Sequence, residues 1–134
     1  MEAKKKIILY VDDDPDDREF LIDAIQKANP EVSVIEAENG LKALEYLYHQ
    51  KQKSDRLPCL IVLDLNMPFL GGKETFELIK EDKELGAVPV IVFSSSEKPQ
   101  DKDLFHNRGV AFFTKPTNIT YFNSIANYMV SVCC

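Results

Sequence analysis

A chain of 134 residues, 45% hydrophobic and 28% charged, has the composition of an ordinary soluble globular protein and the length to bury one full core. Its net charge of -6 argues against a general nucleic-acid binder, which would carry a basic face. No apolar run approaches membrane-spanning length and Met1-Glu2-Ala3-Lys4-Lys5-Lys6 does not read as a signal peptide, so a cytoplasmic single domain with no membrane association is expected.

Residues 6–11 form a short apolar run of β-formers that stops abruptly at Asp12-Asp13-Asp14. Asp14-Pro15 then reads as a helix start, with Asp14 as N-cap, Pro15 at the first helical position and Asp16 and Asp17 in the first turn. Phe20, Leu21, Ala24, Ile25 and Ala28 recur at helical spacing until Asn29-Pro30 ends the helix. Residues 32–37 read as a second strand. Asn39-Gly40 opens a second helix with Leu41, Leu44, Leu47 and Tyr48 on one face, and a polar connector follows over 50–56.

The run Leu60-Ile61-Val62-Leu63 reads as a strand buried on both faces, and it delivers Asp64 where the apolar run gives out. Pro68 and Gly71-Gly72 place the chain in a loop before a third helix over about 73–84, with Phe76 and Ile79 inward. Residues 88–93 are a fourth strand ending in Ser94-Ser95-Ser96. A fourth helix over 99–108 has a thin apolar face of Leu104 and Phe105, and Gly109 as its C-cap. Residues 110–114 are a fifth strand closed by Lys115-Pro116, and Phe122, Ile125, Ala126 and Met129 mark a last helix. Cys59 reads as a small buried hydrophobe and Cys133-Cys134 as a frayed tail with free thiols.

Strands alternating with helices predict an α/β fold: a doubly wound, five-stranded parallel sheet with five helices, in the flavodoxin-like order 2-1-3-4-5. Ligands in such folds bind at the carboxyl ends of the strands. That edge collects Asp12 and Asp13 from strand one, Asp64 from strand three, Ser94 from strand four and Lys115 from strand five. Three converging carboxylates require a proton or a cation between them, and hard oxygen donors suit Mg²⁺, whereas the lack of His and Cys argues against zinc. With an ammonium and a hydroxyl alongside, the set describes a pocket for a phosphoryl group carried on Asp64.

These residues resemble the receiver domain of two-component response regulators over 7–132. The resemblance is carried by Val11-Asp12-Asp13, by Leu63-Asp64-Leu65-Asn66-Met67-Pro68 with Gly72, by Pro89-Val90-Ile91-Val92-Phe93-Ser94, and by Gly109 through Lys115-Pro116. It implies one receiver domain over 5–132 with no output domain, acting as a stand-alone, chemotaxis-regulator-like protein. Asp64 is then the phosphoacceptor, and Mg²⁺ is held by Asp13, Asp64 and the backbone carbonyl of Asn66, with Asp12 acting through water. Ser94 and Phe112 are the switch pair, Lys115 is the ion-pair partner, and the bond before Pro116 is cis.

The implied partners are a sensor histidine kinase or histidine phosphotransfer protein and a downstream protein, with no direct nucleic acid. Family habit adds a homodimer through the fourth helix, fifth strand and last helix, where Tyr121 and Tyr128 could be exposed. The implied role is not that of a conventional turnover enzyme, although a receiver promotes its own phosphorylation and dephosphorylation.

Other readings compete. Asp14, Asp16 and Asp17 are taken as helix-capping acids, and His49 and His106 as surface residues. Of Phe112 and Phe113, one should point inward and one outward. An aspartyl-nucleophile phosphatase of haloacid-dehalogenase type needs a second acid where Asn66 stands, and a flavin carrier would not place Asp12-Asp13-Asp14 against a phosphate. The alternative is a receiver-shaped interaction module that does not depend on phosphorylation, against which the full acid, Ser94 and Lys115 set speaks. Departures from the family pattern are Gly71, Lys73 and, on the fourth helix, Lys102, which is expected to loosen that helix.

Overall fold

Branched apolar residues fill both faces of the central strands, and helices with one apolar stripe each cover them. The structure is a computed structural model that describes residues 6–53 and 57–134. The basic start through Lys5, and Ser54, Asp55 and Arg56 of the polar connector, lie outside the described residues. The elements run β1 (Lys6–Val11), α1 (Pro15–Ala28), β2 (Val32–Ala37), α2 (Gly40–Gln52), β3 (Leu60–Leu63), α3 (Gly72–Glu81), α4 (Lys83–Gly86), β4 (Val90–Ser94), α5 (Pro99–Asn107), β5 (Ala111–Thr114) and α6 (Ile119–Cys133). The strands pair in parallel in the order β2-β1-β3-β4-β5, as the alternation of elements predicts.

Alternation along each strand divides the core in two. Leu9, Val11, Ile61, Leu63, Val90 and Val92 point to the side covered by α2, α3 and α5. Ile8, Tyr10, Leu60, Val62, Ile91 and Phe93 point to the side where α1 and α6 pack. On β5, Phe112 joins the first cluster and Phe113 the second, both half-buried, because each face of this edge strand has a helical neighbour. Neither ring therefore faces outward. The Phe113 ring lies 5.4 Å from that of Tyr128, and both Tyr121 and Tyr128 are exposed.

Asp14 caps α1 as the sequence predicts, its carboxylate accepting from the N–H of Asp16 at 2.9 Å and of Asp17 at 3.3 Å. On α2 the buried face is Gly40, Ala43, Leu44 and Leu47, while Leu41 and Tyr48 are exposed, so the predicted stripe is shifted by part of a turn. The helix predicted over 73–84 is two helices, which makes six among the described residues rather than five. Asp82 takes an extended backbone at ψ 128 and turns its carboxylate to the N–H groups of Glu84 and Leu85, capping α4. A side chain that bonds its own backbone in this way competes with helix continuation.

The end of α5 is a Schellman motif around Gly109, at φ 71. Gly109 N–H donates to His106 C=O at 3.0 Å and Val110 N–H to Phe105 C=O at 2.9 Å. The face of α5 is thin, yet Phe105 is fully buried, its ring 5.1 Å from Phe76 and 6.3 Å from Phe112. Beside it, the buried Asp101 accepts from Ser96 Oγ at 2.5 Å and pairs with Lys73 at 2.5 Å. Lys73, a departure from the family pattern, thus ties α3 to α5, while Lys102 is exposed.

Two further expectations are overturned. Cys59 and Cys133 form a disulfide, with Cα atoms 5.2 Å apart, so Cys59 is no mere packing residue and Cys134 is the free thiol. The first residue before β3 and the last turn of α6 meet across the second cluster, a proximity that separation along the chain conceals. Among the described residues no peptide bond is cis, so Lys115-Pro116 is trans. No helix of the described residues is long and apolar enough to cross a membrane.

Candidate functional site

Backbone pairing continues one residue past the strands and places the predicted side chains. Asp12 N–H donates to Ala37 C=O at 3.0 Å, Asp64 N–H to Val11 C=O at 3.0 Å, and Lys115 N–H to Ser94 C=O at 2.9 Å. Each residue at the sheet edge is therefore held by its neighbour strand rather than by a free loop. Gly72 packs directly against this edge. A Cβ there would stand 2.2 Å from Asp64 C=O, so the turn from Asp64 into α3 requires a glycine. Phe69, in that turn, takes φ 68 and is strongly exposed.

Asp12, Asp64 and Ser94 are buried, with side chains of the first two inside a ring of polar partners. Asp12 Oδ2 accepts from Tyr10 OH at 2.7 Å, and Asp12 Oδ1 from Asp14 N–H at 2.9 Å. The Asp12 carbonyl accepts from Arg18 at 2.7 Å, whose guanidinium also pairs with Glu36 at 3.0 Å. The Lys115 ammonium lies 2.7 Å from Asp12, 2.8 Å from Asp17 and 3.5 Å from Asp64. Ser94 accepts from Ser96 N–H at 3.3 Å and its hydroxyl approaches Asp64, whereas Ser95 is exposed. This separates Ser94 from its two neighbours. Ser96 is turned instead to Asp101.

Burial pushes the Asp64 carboxyl up to about 6; Lys115 opposes that, the Asp12 charge adds to it, and Ser94 and the Asn66 amide pull it back. Burial would push Lys115 down, but the carboxylates of Asp12 and Asp17 outweigh it and hold the ammonium above its usual range. Tyr10 is raised by burial and then by Asp12, so it stays a donor.

Asp12, Asp13 and Asp64 each offer a carboxylate oxygen, all within 4.8 Å of one another. Asp64 Oδ1 is buried without a hydrogen-bond partner. A buried carboxylate oxygen left bare among other acids is the position a hard divalent cation would fill, so the residues present fit such an ion. The structure thus brings together Asp12, Asp13, Asp64, Ser94 and Lys115, with Asn66 exposed just beyond. Phe112 stands apart, in the cluster under α5.

Two members of the site are not evident from the sequence. Tyr10 looks like any β1 core residue, and Asp17 like a first-turn acid that complements the helix dipole. The available signal was topological: α1 starts at the same sheet edge as the site, so its first turn borders the crevice.

Comparison with known proteins gives the family and the fold. The family model described as response regulator receiver domain matches residues 8–126. Response regulator Rcp1 of Synechocystis sp. is 29% identical over 116 residues, covering 85% of this chain and 79% of Rcp1. The crystal structure of the phosphorylated cyanobacterial phytochrome response regulator RcpA superposes with a TM-score of 0.85 at 27% identity, over 97% of this chain and 94% of RcpA. The Mn(2+)-bound form of Rcp1 gives a TM-score of 0.82 at 27% identity, over 94% of this chain and 92% of that one.

Proposed function

Since the chain belongs to the response regulator receiver domain family of two-component phosphorelay signalling, we propose that Asp64 is its phosphoacceptor. The observation that carries this reading is the buried Asp64 carboxylate, one oxygen bare, at a sheet edge it shares with Lys115 and two further acids. A carboxylate oxygen of Asp64 attacks the phosphorus of a phosphohistidine. The new O–P bond forms as the N–P bond breaks, and the leaving imidazole nitrogen keeps the electron pair. Lys115 offsets charge on the phosphoryl oxygens, and the Ser94 hydroxyl, already beside Asp64, donates to one of them.

Asp13, Asp64 and the Asn66 carbonyl would hold Mg²⁺, with Asp12 acting through water; the ion supplies neutralisation of the negative charge gathered around the phosphorus. The metal-bound relative Rcp1 supports a divalent ion at this edge. The donor is a histidine kinase or histidine phosphotransfer protein. The signal leaves through the face of α5, β5 and α6, where Phe112 packs on Phe105 and Tyr121 is exposed, either to a downstream protein or in a homodimer. In this reading the receiver domain is a signalling switch and not a turnover enzyme.

Incubation with Mg²⁺ and a small phosphodonor, followed by intact mass, tests the assignment. Wild type gains one phosphoryl group and Asp64→Asn gains none. An equal gain in both would overturn Asp64 as acceptor.

A further inference from the structure

We propose that Asp17 is a positioning residue that holds Lys115 in a resting place and thereby restrains phosphoryl transfer to Asp64; this rests on Asp64 being the acceptor. The Lys115 ammonium has three donors and three carboxylates around it, but they are not shared equally. The contacts to Asp12 at 2.7 Å and Asp17 at 2.8 Å are short, and the one to Asp64, at 3.5 Å, is marginal. Lys115 is thus drawn away from the group it must serve.

The two short contacts are of different kinds. Asp12 is fully buried and fixed on both oxygens, by Tyr10 OH and by Asp14 N–H, so it belongs to the rigid floor of the site. Asp17 comes from the first turn of α1, outside the sheet, and its side chain is 24% exposed. Among the described residues, the group its carboxylate meets at the sheet edge is Lys115. When a phosphoryl group with its own charges arrives on Asp64, Lys115 must turn toward it, and the Asp17 contact weakens as transfer proceeds. An interaction stronger before transfer than during it slows the step.

The test measures phosphorylation rates of the full chain with Mg²⁺ and phosphoramidate. Asp17→Asn keeps the shape and removes the charge, and should accelerate the reaction about three- to tenfold, the factor expected when one partly exposed ion pair of about 1 kcal/mol is released. Asp17→Glu, whose carboxylate still reaches Lys115, should stay near the wild-type rate. Asp16→Asn removes an equal charge one residue away without touching Lys115, and should also leave the rate near wild type. Thermal melts establish that each variant is folded, as expected for exposed or half-exposed positions in a first turn. An Asp17→Asn rate at or below wild type overturns the proposal, as does equal acceleration by Asp16→Asn or by Asp17→Glu. Wild type that takes no phosphoryl group refutes the acceptor assignment itself.

Discussion

The charge on Asp64 is costly in this fold, and its pH dependence gives that cost a measurable sign. The carboxyl is raised from 3.8 in the open chain to about 6 when folded, chiefly by burial. A raised folded value means that the folded state binds more protons than the unfolded one between those limits. The contribution of Asp64 to stability is therefore fully present below about pH 4 and is lost as pH rises through about 6. In metal-free buffer, Asp64→Asn should melt higher than wild type at neutral pH, and the gap should close as pH falls from 6 toward 4. Thermal denaturation across that range, with a chelator present, checks it. Asp12, Asp13, Asp64 and Lys115 were legible at this scale because a parallel sheet collects its strand ends on one edge. Tyr10 and Asp17 were not, because each already had a sufficient local role, as core aromatic and as first-turn acid. Only the docking of α1 against the sheet gives them a second one.

Among the helices longer than one turn, α5 buries the fewest apolar residues, Phe105 alone, and it has two anchors. Phe105 fills the space between Phe76 and Phe112, and Asp101 is gripped by Ser96 from the end of β4 and by Lys73 from α3. The exposed Lys102 predicts a loose helix and the polar anchor works against it, so hydrogen exchange decides between them. Asp101→Ala should lower global stability by about 1–3 kcal/mol, while raising hydrogen exchange at the amides of 101–108 well above those of α1. Equal protection in wild type and variant would show that Phe105 alone secures the helix. The boundary between α3 and α4 was not legible for a related reason. Glu81, Asp82 and Lys83 are all compatible with a continuing helix, and the break depends on Asp82 turning to cap α4 while also meeting Lys51 at 2.7 Å. That last contact comes from α2, and no local pattern announces it.

Across the molecule, strand order and the two-sided core follow from alternation and right-handed crossover, so the sequence carries them openly. The disulfide is different, since pairing Cys59 with Cys133 depends on how α6 closes over the sheet. Its 74-residue separation makes it a strong constraint on the unfolded chain, worth up to about 4.5 kcal/mol in the chain-entropy account. Reduction should lower the melting temperature by several degrees, and thiol counting before and after reduction should rise from one reactive group to three. Because such bonds are kept open in most reducing compartments, the same count on protein taken directly from cells also reports where it resides.

The same bond divides the site in a way that its distances do not reveal. The covalent ring runs from Cys59 to Cys133 and contains Asp64, Ser94 and Lys115, whereas Asp12, Asp13 and Asp17 lie on the segment outside it. Pulled by its two ends, the oxidised molecule can lengthen only by unwinding that outer segment, which parts β1 from both of its neighbours, β2 and β3. Mechanical load would therefore strip the acids of β1 and α1 away from Lys115 while Asp64 and Lys115 remain enclosed together in a closed loop.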